Sequence, residues 1–299
     1  MSELSHYRYI DALRGIAFLG VLTCHVGLLL KPTFPGYDVF MMGARGVQLF
    51  YLLSAATLLR SFSLRGAQER FPIRNFFVRR LFRIAPLFWF AMALYYWQMG
   101  ARPRYWAPNG LQTWHFVTTA LFLNGWTLTS INSVVLNGWS VAIEMTFYLM
   151  LPFLAKRITT IWGGITATLC ATSIAIILDR ALMPILTQTT PQNEQVLIPF
   201  FIYSWFPSQL PVFLLGFVLY SCLQNETVMK MLAGSERPAW LVIAAVVGCL
   251  GLASVPKEAG WEIPLHVYDA IALMFLVLAV HIRPFAWIVN LFTCRIGVI

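Results

Sequence analysis

The chain has 299 residues, of which 59% are hydrophobic and 11% are charged, and its formal net charge is +9. Because soluble domains carry about a quarter charged residues, this composition excludes most soluble classes, and it excludes a disordered chain as well. The lysines and arginines lie in short runs between apolar segments, which is typical of membrane loops and argues against a nucleic-acid partner. We therefore expect an all-α protein embedded in the lipid bilayer, with a single domain over residues 1–299.

Eight apolar stretches have lengths near the roughly 20 residues that a helix needs to span a membrane. The first is too long and too polar for a signal peptide, so we expect it to be retained. A further stretch at 114–129 is expected to be re-entrant or interfacial, because a ninth span would place basic loops on opposite sides. The short apolar run after Pro284 is broken by Arg295, and we expect it to be the start of a truncated C-terminal helix. The expected spans are residues 9–30, 45–61, 82–100, 139–155, 160–178, 199–222, 239–255 and 264–282.

The orientation of these spans follows from the distribution of arginine. The segment from Arg60 to Arg83 contains seven arginines and a single acid, Glu69. Cytoplasmic loops collect lysine and arginine, so we place this segment in the cytoplasm. Two spans precede it, and the N-terminus is therefore expected on the cytoplasmic side as well.

Ionisable side chains within the first span are the first candidates for function. An ionised side chain costs at least about 2.5–3.5 kcal/mol at the centre of a membrane, so such residues need a reason. Asp11, Arg14 and His25 share one helix face, since successive residues turn by about 100° and rise by about 1.5 Å. The same rise separates Arg14 from His25 by about 16 Å, which predicts one path lined at two depths. The alternative is that Asp11 and Arg14 only anchor the helix at the membrane interface and that His25 only forms a hydrogen bond to a neighbouring helix.

A carboxylic acid in the span 139–155 is the next candidate. Glu144 is followed one helical turn later by Tyr148, and we expect Glu144 in the outer half of the membrane, where it could meet His25. A carboxylate beside a histidine raises the basicity of the imidazole and fixes its tautomer, which suits a general base that activates a hydroxyl. The alternative is that Glu144 is a neutral, hydrogen-bonded structural acid.

Arg80 and Arg83 lie three residues apart at the expected cytoplasmic mouth of a helix, so both can reach one ligand. A guanidinium binds phosphate through paired hydrogen bonds that lysine does not reproduce, which predicts a phosphate-bearing ligand. The alternative is that both residues only anchor the loop.

Four blocks of sequence, in order along the first half of the chain, resemble the acyltransferase-3 family of integral membrane O-acyltransferases. They are YIDALRGIA at residues 9–17 followed by His25, GVQLFYLLS at 46–54, RLFRIAPL at 80–87, and NGWSVAIEMTFYLMLP at 137–152. The family usually has a glycine after the matched serine, Ser54, whereas this chain has Ala55.

The resemblance implies transfer of an acyl group, often acetyl, from cytoplasmic acyl-CoA to a hydroxyl of a surface glycan, a lipid-linked sugar or an exported small molecule. It implies an inner-membrane location in bacteria and no permanently bound cofactor. By position, Arg14 and His25 match the family's essential arginine and histidine, Arg80 and Arg83 its paired arginines, and Glu144 its motif acid.

We expect His25 to act as the base, Glu144 to orient it and Arg14 to act as a cation on the donor side. We assign substrate binding to Arg80, Arg83, Asp11, Ser54 and Tyr148. Direct transfer and transfer through an acyl-histidine both stay open. A proton-coupled transporter or flippase that uses the same intramembrane residues is the alternative function.

The rest of the chain gives weaker signals. The five cysteines are scattered singly with no C-x-x-C, so no metal site is predicted. His266 and Asp269, early in the last expected span, are weaker candidates for function. Gly216 is expected to permit close contact between two helices.

Overall fold

The computed structural model describes residues 8–30, 37–66, 68–234, 240–244, 247–248 and 265–282. These residues form helices and connecting turns with no strand, so the expected all-α fold is confirmed for them. The α-helices are α1 (Arg8–Leu30), α2 (Tyr37–Met41), α3 (Gly46–Gly66), α4 (Pro72–Met99), α5 (Thr113–Ala120), α6 (Trp139–Arg157), α7 (Ile161–Thr189), α8 (Ile198–Ser204), α9 (Phe206–Gln224), α10 (Glu226–Leu232) and α11 (Leu265–Ile282). Short 3₁₀ helices cover Met42–Arg45, Asn124–Trp126 and Gln195–Leu197.

Five helical segments of the described chain are long and apolar enough to cross a membrane, which fits a multi-pass membrane protein. They correspond to five of the predicted spans. The total of eight spans is not confirmed. Helices α4 and α6 do cover the predicted spans 82–100 and 139–155, but charged and aromatic residues lower their hydropathy. The five segments are Tyr9–Leu30, Met42–Gly66, Ile161–Thr189, Gln195–Gln224 and Leu265–Ile282.

Two sequence predictions lie outside the described residues. Most of the predicted span 239–255 falls there, and so does the truncated helix expected after Pro284.

The centre of the bundle is the contact between α3 and α9. Gly216 of α9 faces α3 so closely that an added Cβ would lie 2.5 Å from the Cβ of Ala55 and 2.7 Å from the carbonyl oxygen of Leu52. The close helix contact predicted at Gly216 is therefore confirmed, and Ala55 is one of the two small residues that form it. Leu52 and Phe213 are fully buried beside this contact.

Helix α1 packs against the first turn of α3 through backbone contacts. A Cβ on Gly46 would meet the carbonyl oxygen of Ala17 at 2.5 Å and the side chain of Val21 at 2.9 Å. The half of α1 after Val21 therefore extends past the start of α3. Arg14, two turns earlier, lies beside the middle of α3.

The connection between α4 and α6 contains no helix long enough to span a membrane. Helix α5 has eight residues and is about 12 Å long, so the segment 114–129 is not a span, as predicted. The backbone N–H of Gln112 donates to Nδ1 of His115 in a capping box that starts α5. Residues 130–135, which follow, are buried, so this connection enters the protein interior before α6 begins.

Candidate active site

Arg14 is held in place by α3. Its Nη2 donates to Oγ1 of Thr57 at 2.8 Å, and its Nη1 lies 3.7 Å from Oδ1 of Asp11 on the preceding turn of α1. The Thr57 hydroxyl in turn donates to the carbonyl oxygen of Leu53 at 2.7 Å. Because that bond uses the hydroxyl hydrogen, the Thr57 oxygen is oriented to accept from Arg14.

Glu144 and Tyr148 of α6 lie at the level of Arg14. Electrostatic interactions connect Arg14 with both residues, and the Tyr148 hydroxyl interacts with the Glu144 carboxylate. The two residues are one turn apart, as the sequence predicted, so both project from one face of α6.

Arg80 of α4 lies next to these residues and belongs to the same group. Its guanidinium carbon lies 5.9 Å from the centre of the Tyr148 ring and 5.8 Å from that of Phe76. It interacts electrostatically with Glu144, Arg14 and Arg83. Its Nε is buried and has no hydrogen-bond partner among the described residues. Arg83 is exposed one turn further along α4.

We call Asp11, Arg14, Arg80, Arg83, Glu144 and Tyr148 the first polar cluster. Its three arginines face two carboxylates, which leaves one positive charge in excess. Six of the eight residues singled out from the sequence are thus brought together. A seventh, Ser54, lies on α3 beside Thr57, whose hydroxyl is 3.3 Å from the Ser54 carbonyl oxygen.

His25 lies apart from this cluster. It is about 16 Å along α1 from Arg14, and within the described part of the chain no hydrogen bond joins it to Glu144. The expectation that Glu144 sits at the depth of His25 is wrong. The buried residues before α6 bring its start into the bundle, where Tyr51 of α3 donates to the carbonyl oxygen of Ser140 at 3.1 Å. Glu144 therefore lies deeper, beside Arg14.

A second polar cluster was not predicted as a unit. Nε of Arg45 donates to Oδ1 of Asp269 at 2.7 Å, and Nε2 of Gln48 donates to the Tyr203 hydroxyl at 2.9 Å. The His266 ring packs edge-on against Tyr203, with centroids 5.2 Å apart, and its Nε2 is 2.6 Å from the carbonyl oxygen of Ser208. We use the name second polar cluster for Arg45, Gln48, Tyr203, His266 and Asp269.

The sequence did carry one signal for this second cluster. Arg45 and Asp269 are opposite charges at the ends of two predicted spans, and a charge in a membrane usually has a partner. Over the described residues, no group of three or more histidine, cysteine or acidic side chains is placed to hold a metal ion.

Comparison with known families supports the assignment from the sequence blocks. The chain matches the family model described as the acyltransferase domain of the acyltransferase-3 type over residues 7–295. Neither curated proteins nor solved structures give a match. The matched region covers nearly the whole chain and includes both polar clusters. The chain therefore belongs to the acyltransferase-3 family, and this membership implies a membrane acyltransferase.

Proposed function

We propose that the protein is an O-acyltransferase that moves an acyl group, with acetyl as the first candidate, from acyl-CoA to a hydroxyl. The observation that carries this proposal is the first polar cluster, in which three arginines from α1 and α4 leave one positive charge in excess. Coenzyme A is a polyanion, and guanidinium groups bind phosphate through paired, charge-assisted hydrogen bonds. The buried Nε of Arg80, which has no hydrogen-bond partner within the described part of the chain, adds a donor that a ligand can use.

The reaction requires a poorly nucleophilic hydroxyl to attack a thioester. In the proposed mechanism His25 takes the hydroxyl proton, a C–O bond forms to the acyl carbon, the C–S bond breaks, and the proton passes to the sulfur of CoA. A general base contributes about 10² to 10⁴-fold, and a nearby cation stabilises the developing oxyanion.

Arg14 and His25 lie about 16 Å apart along α1, which fits a mechanism in which one end of the helix binds the phosphates of the donor and the other end carries the base. Arg14, Arg80 and Arg83 would hold the phosphates, and the extended pantetheine arm would carry the thioester away from them towards His25. Glu144 lies beside Arg14 and not beside His25, so we now propose that it balances the arginines and keeps Arg14 in position.

For location and acceptor we propose the cytoplasmic membrane of a bacterium, with the N-terminus inside and with a glycan, a lipid-linked sugar or an exported small molecule as acceptor. The arginine-rich loop between α3 and α4 supports this orientation. Acyl-CoA would then enter from the same side as the first polar cluster.

A proton-coupled transporter is the second candidate. The observation that favours it is the break between α8 and α9 at Trp205, since discontinuous helices are typical of transporters. A single break is weaker support than the arginine cluster, because transporter folds usually pair such helices in two repeats.

The experiment reconstitutes the full chain in lipid vesicles, supplies acetyl-CoA with a bacterial membrane extract as acceptor, and measures free CoA with a thiol reagent. We expect CoA release that depends on the protein and on the extract. A Glu226→Gln variant is the matched control, because this acid is exposed on α10 and its ion pair among the described residues is with Lys230. Proton flux reported by a dye inside the vesicles, with no CoA release, would favour the transporter.

A further inference from the structure

An apolar cavity lies between α1, the start of α3 and α11. Its volume is about 370 Å³, and among the described residues that line it only Arg45 is charged. Both α1 and α11 pack against α3, and the cavity is the space left between them. An apolar cavity stays dry, and an empty one costs free energy in proportion to its volume, so an apolar occupant is favoured. The apolar side chains of the wall include Leu13, Ile16, Leu49, Leu273, Leu276 and Val280.

The cavity is long and narrow. Along α1 it extends from Tyr9 to Gly20, which is about 16 Å at a rise of about 1.5 Å per residue. Spread over that length, the volume of about 370 Å³ gives a mean cross-section of roughly 22 Å². Carbon atoms that are not bonded to each other approach to about 3.5–4.0 Å, so the cavity has room for one extended hydrocarbon chain.

The two ends of the cavity are closed in different ways. At the deep end the backbone of α1 approaches the 3₁₀ helix before α3, since a Cβ on Gly20 would lie 3.4 Å from the Cα of Gly43. At the other end the Tyr9 hydroxyl oxygen lies 2.9 Å from Nδ1 of His281, and the two rings pack edge-on with centroids 5.3 Å apart. Amphipathic rings of this kind are typical of the membrane interface, where lipid headgroups lie.

The length of the cavity matches one leaflet of a bilayer. The hydrocarbon core is about 30 Å thick, so one leaflet accounts for about 15 Å of it. The cavity follows the first half of the membrane-crossing segment Tyr9–Leu30, from its N-terminal end to its middle at Gly20. Ile16 in the wall is 38% exposed, and the cavity is partly open at the surface. Over the described residues this opening lies on the membrane-crossing part of α1, where the surrounding medium is lipid.

The cavity and the proposed reacting groups lie on opposite faces of α1. Ile16 is about 180° around the helix from His25 and about 160° from Arg14. Arg14 donates instead to Thr57 in the middle of α3. The helix itself therefore separates an occupant of the cavity from the first polar cluster and from His25, so the occupant does not have to be a substrate.

We propose that the cavity binds one hydrocarbon tail of a membrane phospholipid from the leaflet at the N-terminal end of α1. The headgroup lies beside Tyr9 and His281, and the tail runs along α1 to Gly20. A tail in this place fills the space between α1 and α11 and stabilises the packing of both helices on α3. The lipid is a structural ligand, so this inference does not depend on the proposed acyl transfer.

The test uses the full chain, washed free of lipid in detergent, and two phospholipids with the same headgroup. Dipalmitoyl-phosphatidylglycerol has tails long enough to reach Gly20, whereas dihexanoyl-phosphatidylglycerol does not. Native mass spectrometry counts the lipids that the protein retains, and thermal unfolding measures stability. We expect one retained long-tailed lipid per chain and a Tm raised by a few degrees, because a ligand that binds only the folded state stabilises it. The short-tailed lipid should have neither effect.

The variant Ala12→Phe should fill the cavity, because Ala12 is a buried residue of its wall. Leu19→Phe is the matched control, since Leu19 lies on the same helix, is 46% exposed and does not line the cavity. We expect Ala12→Phe to lose both the retained lipid and the rise in Tm, and Leu19→Phe to keep both. If Ala12→Phe does not fold, Leu276→Phe in the opposite wall takes its place.

The same measurements can overturn the proposal. Failure of the parent to retain the long-tailed lipid, or equal effects of the two phospholipids, would show that no tail binds. Equal retention by Ala12→Phe and Leu19→Phe would place the lipid outside the cavity. Displacement of the retained lipid by palmitoyl-CoA but not by acetyl-CoA would assign the cavity to the acyl chain of the donor. A dimer without lipid in the mass spectrum would make a second copy of the chain the occupant.

Discussion

At the scale of single residues, the first polar cluster depends on side chains that no sequence pattern singles out. Thr57 is the main example. Its hydroxyl donates its hydrogen to the carbonyl oxygen of Leu53, so its oxygen accepts from Arg14 and holds the guanidinium in place. A threonine in an apolar helix gives no sign of this role until α1 is packed against α3. Arg14 itself was recognisable, because a charge in a membrane span needs a reason.

We predict that Thr57→Val lowers kcat/KM for acetyl-CoA roughly tenfold or more, since a hydrogen bond to a charged group contributes about 1.5–3 kcal/mol. Thr57→Ser keeps the hydroxyl and should retain most of the activity. A purely structural role for Thr57 would show as a lower unfolding temperature with unchanged kinetics. Steady-state kinetics and thermal unfolding on the three proteins separate the two cases.

Arg80 and Arg83 provide the second prediction at this scale. Arg80→Lys and Arg83→Lys keep the charge but remove the planar fork, so we expect unchanged expression and topology with a higher KM for acyl-CoA and little change in the acceptor KM. Arg74→Lys is the control, because Arg74 lies on the same helix and packs against Phe71, 4.6 Å from the ring centre. If both variants have the same KM for acyl-CoA as the Arg74→Lys control, these arginines do not bind the donor and act only as membrane anchors.

At the scale of helices, the packing of α3 depends on two small residues at its contact with α9 and on one acid, Glu69, at its connection to α4. The contact of α3 with α9 was partly predictable, since glycine in an apolar helix permits close approach. The identity of the partner residue, Ala55, was not, because 161 positions separate it from Gly216 and only packing brings them together.

Gly216→Ala should destabilise the protein by about 1–3 kcal/mol, because the new Cβ overlaps Ala55 and the backbone of Leu52. Gly66→Ala at the end of α3 is the control, since an added Cβ there has no atom within 4 Å. Thermal unfolding in detergent measures both. Equal unfolding temperatures for the two variants would show that α3 and α9 are not as close as described.

Glu69 joins the end of α3 to α4 and makes stability depend on pH. A hydrogen bond from Asn75, together with the pairing to Arg79 at 2.7 Å, holds the pKa of Glu69 below its ordinary value. An acid with a lowered folded pKa stabilises the protein above its unfolded pKa of about 4.3, and this contribution disappears as the pH falls through the folded value.

We therefore expect Glu69→Gln to lower the unfolding temperature at pH 7 and to match the parent well below pH 4. Glu226→Gln on α10 serves as control, because its exposed pair with Lys230 should contribute little at either pH. A difference between parent and Glu69→Gln that persists unchanged into acid would rule out this pairing as the cause.

At the scale of the whole molecule, hydropathy predicted the helical class and five of the spans, because burial in lipid requires long apolar helices. Hydropathy did not predict how deep within the bundle each polar side chain lies. Glu144 was expected beside His25 on the assumption that α6 begins at the surface, whereas buried residues before it bring its start into the bundle. The pairing of Arg45 with Asp269, 224 positions apart, likewise depends on tertiary packing that periodicity does not encode.

The whole molecule thus divides into a positive first cluster, a charge-balanced second cluster and a histidine on the far half of α1. The central claim is that the first cluster and this histidine carry out acyl transfer, with His25 as the base. The most direct measurement is the rate of labelled acetyl transfer from acetyl-CoA to the membrane extract by His25→Ala and by the parent, at equal amounts of inserted protein. We predict a loss of at least about 10²-fold in the variant. Transfer within threefold of the parent would contradict the claim and remove His25 from the reaction.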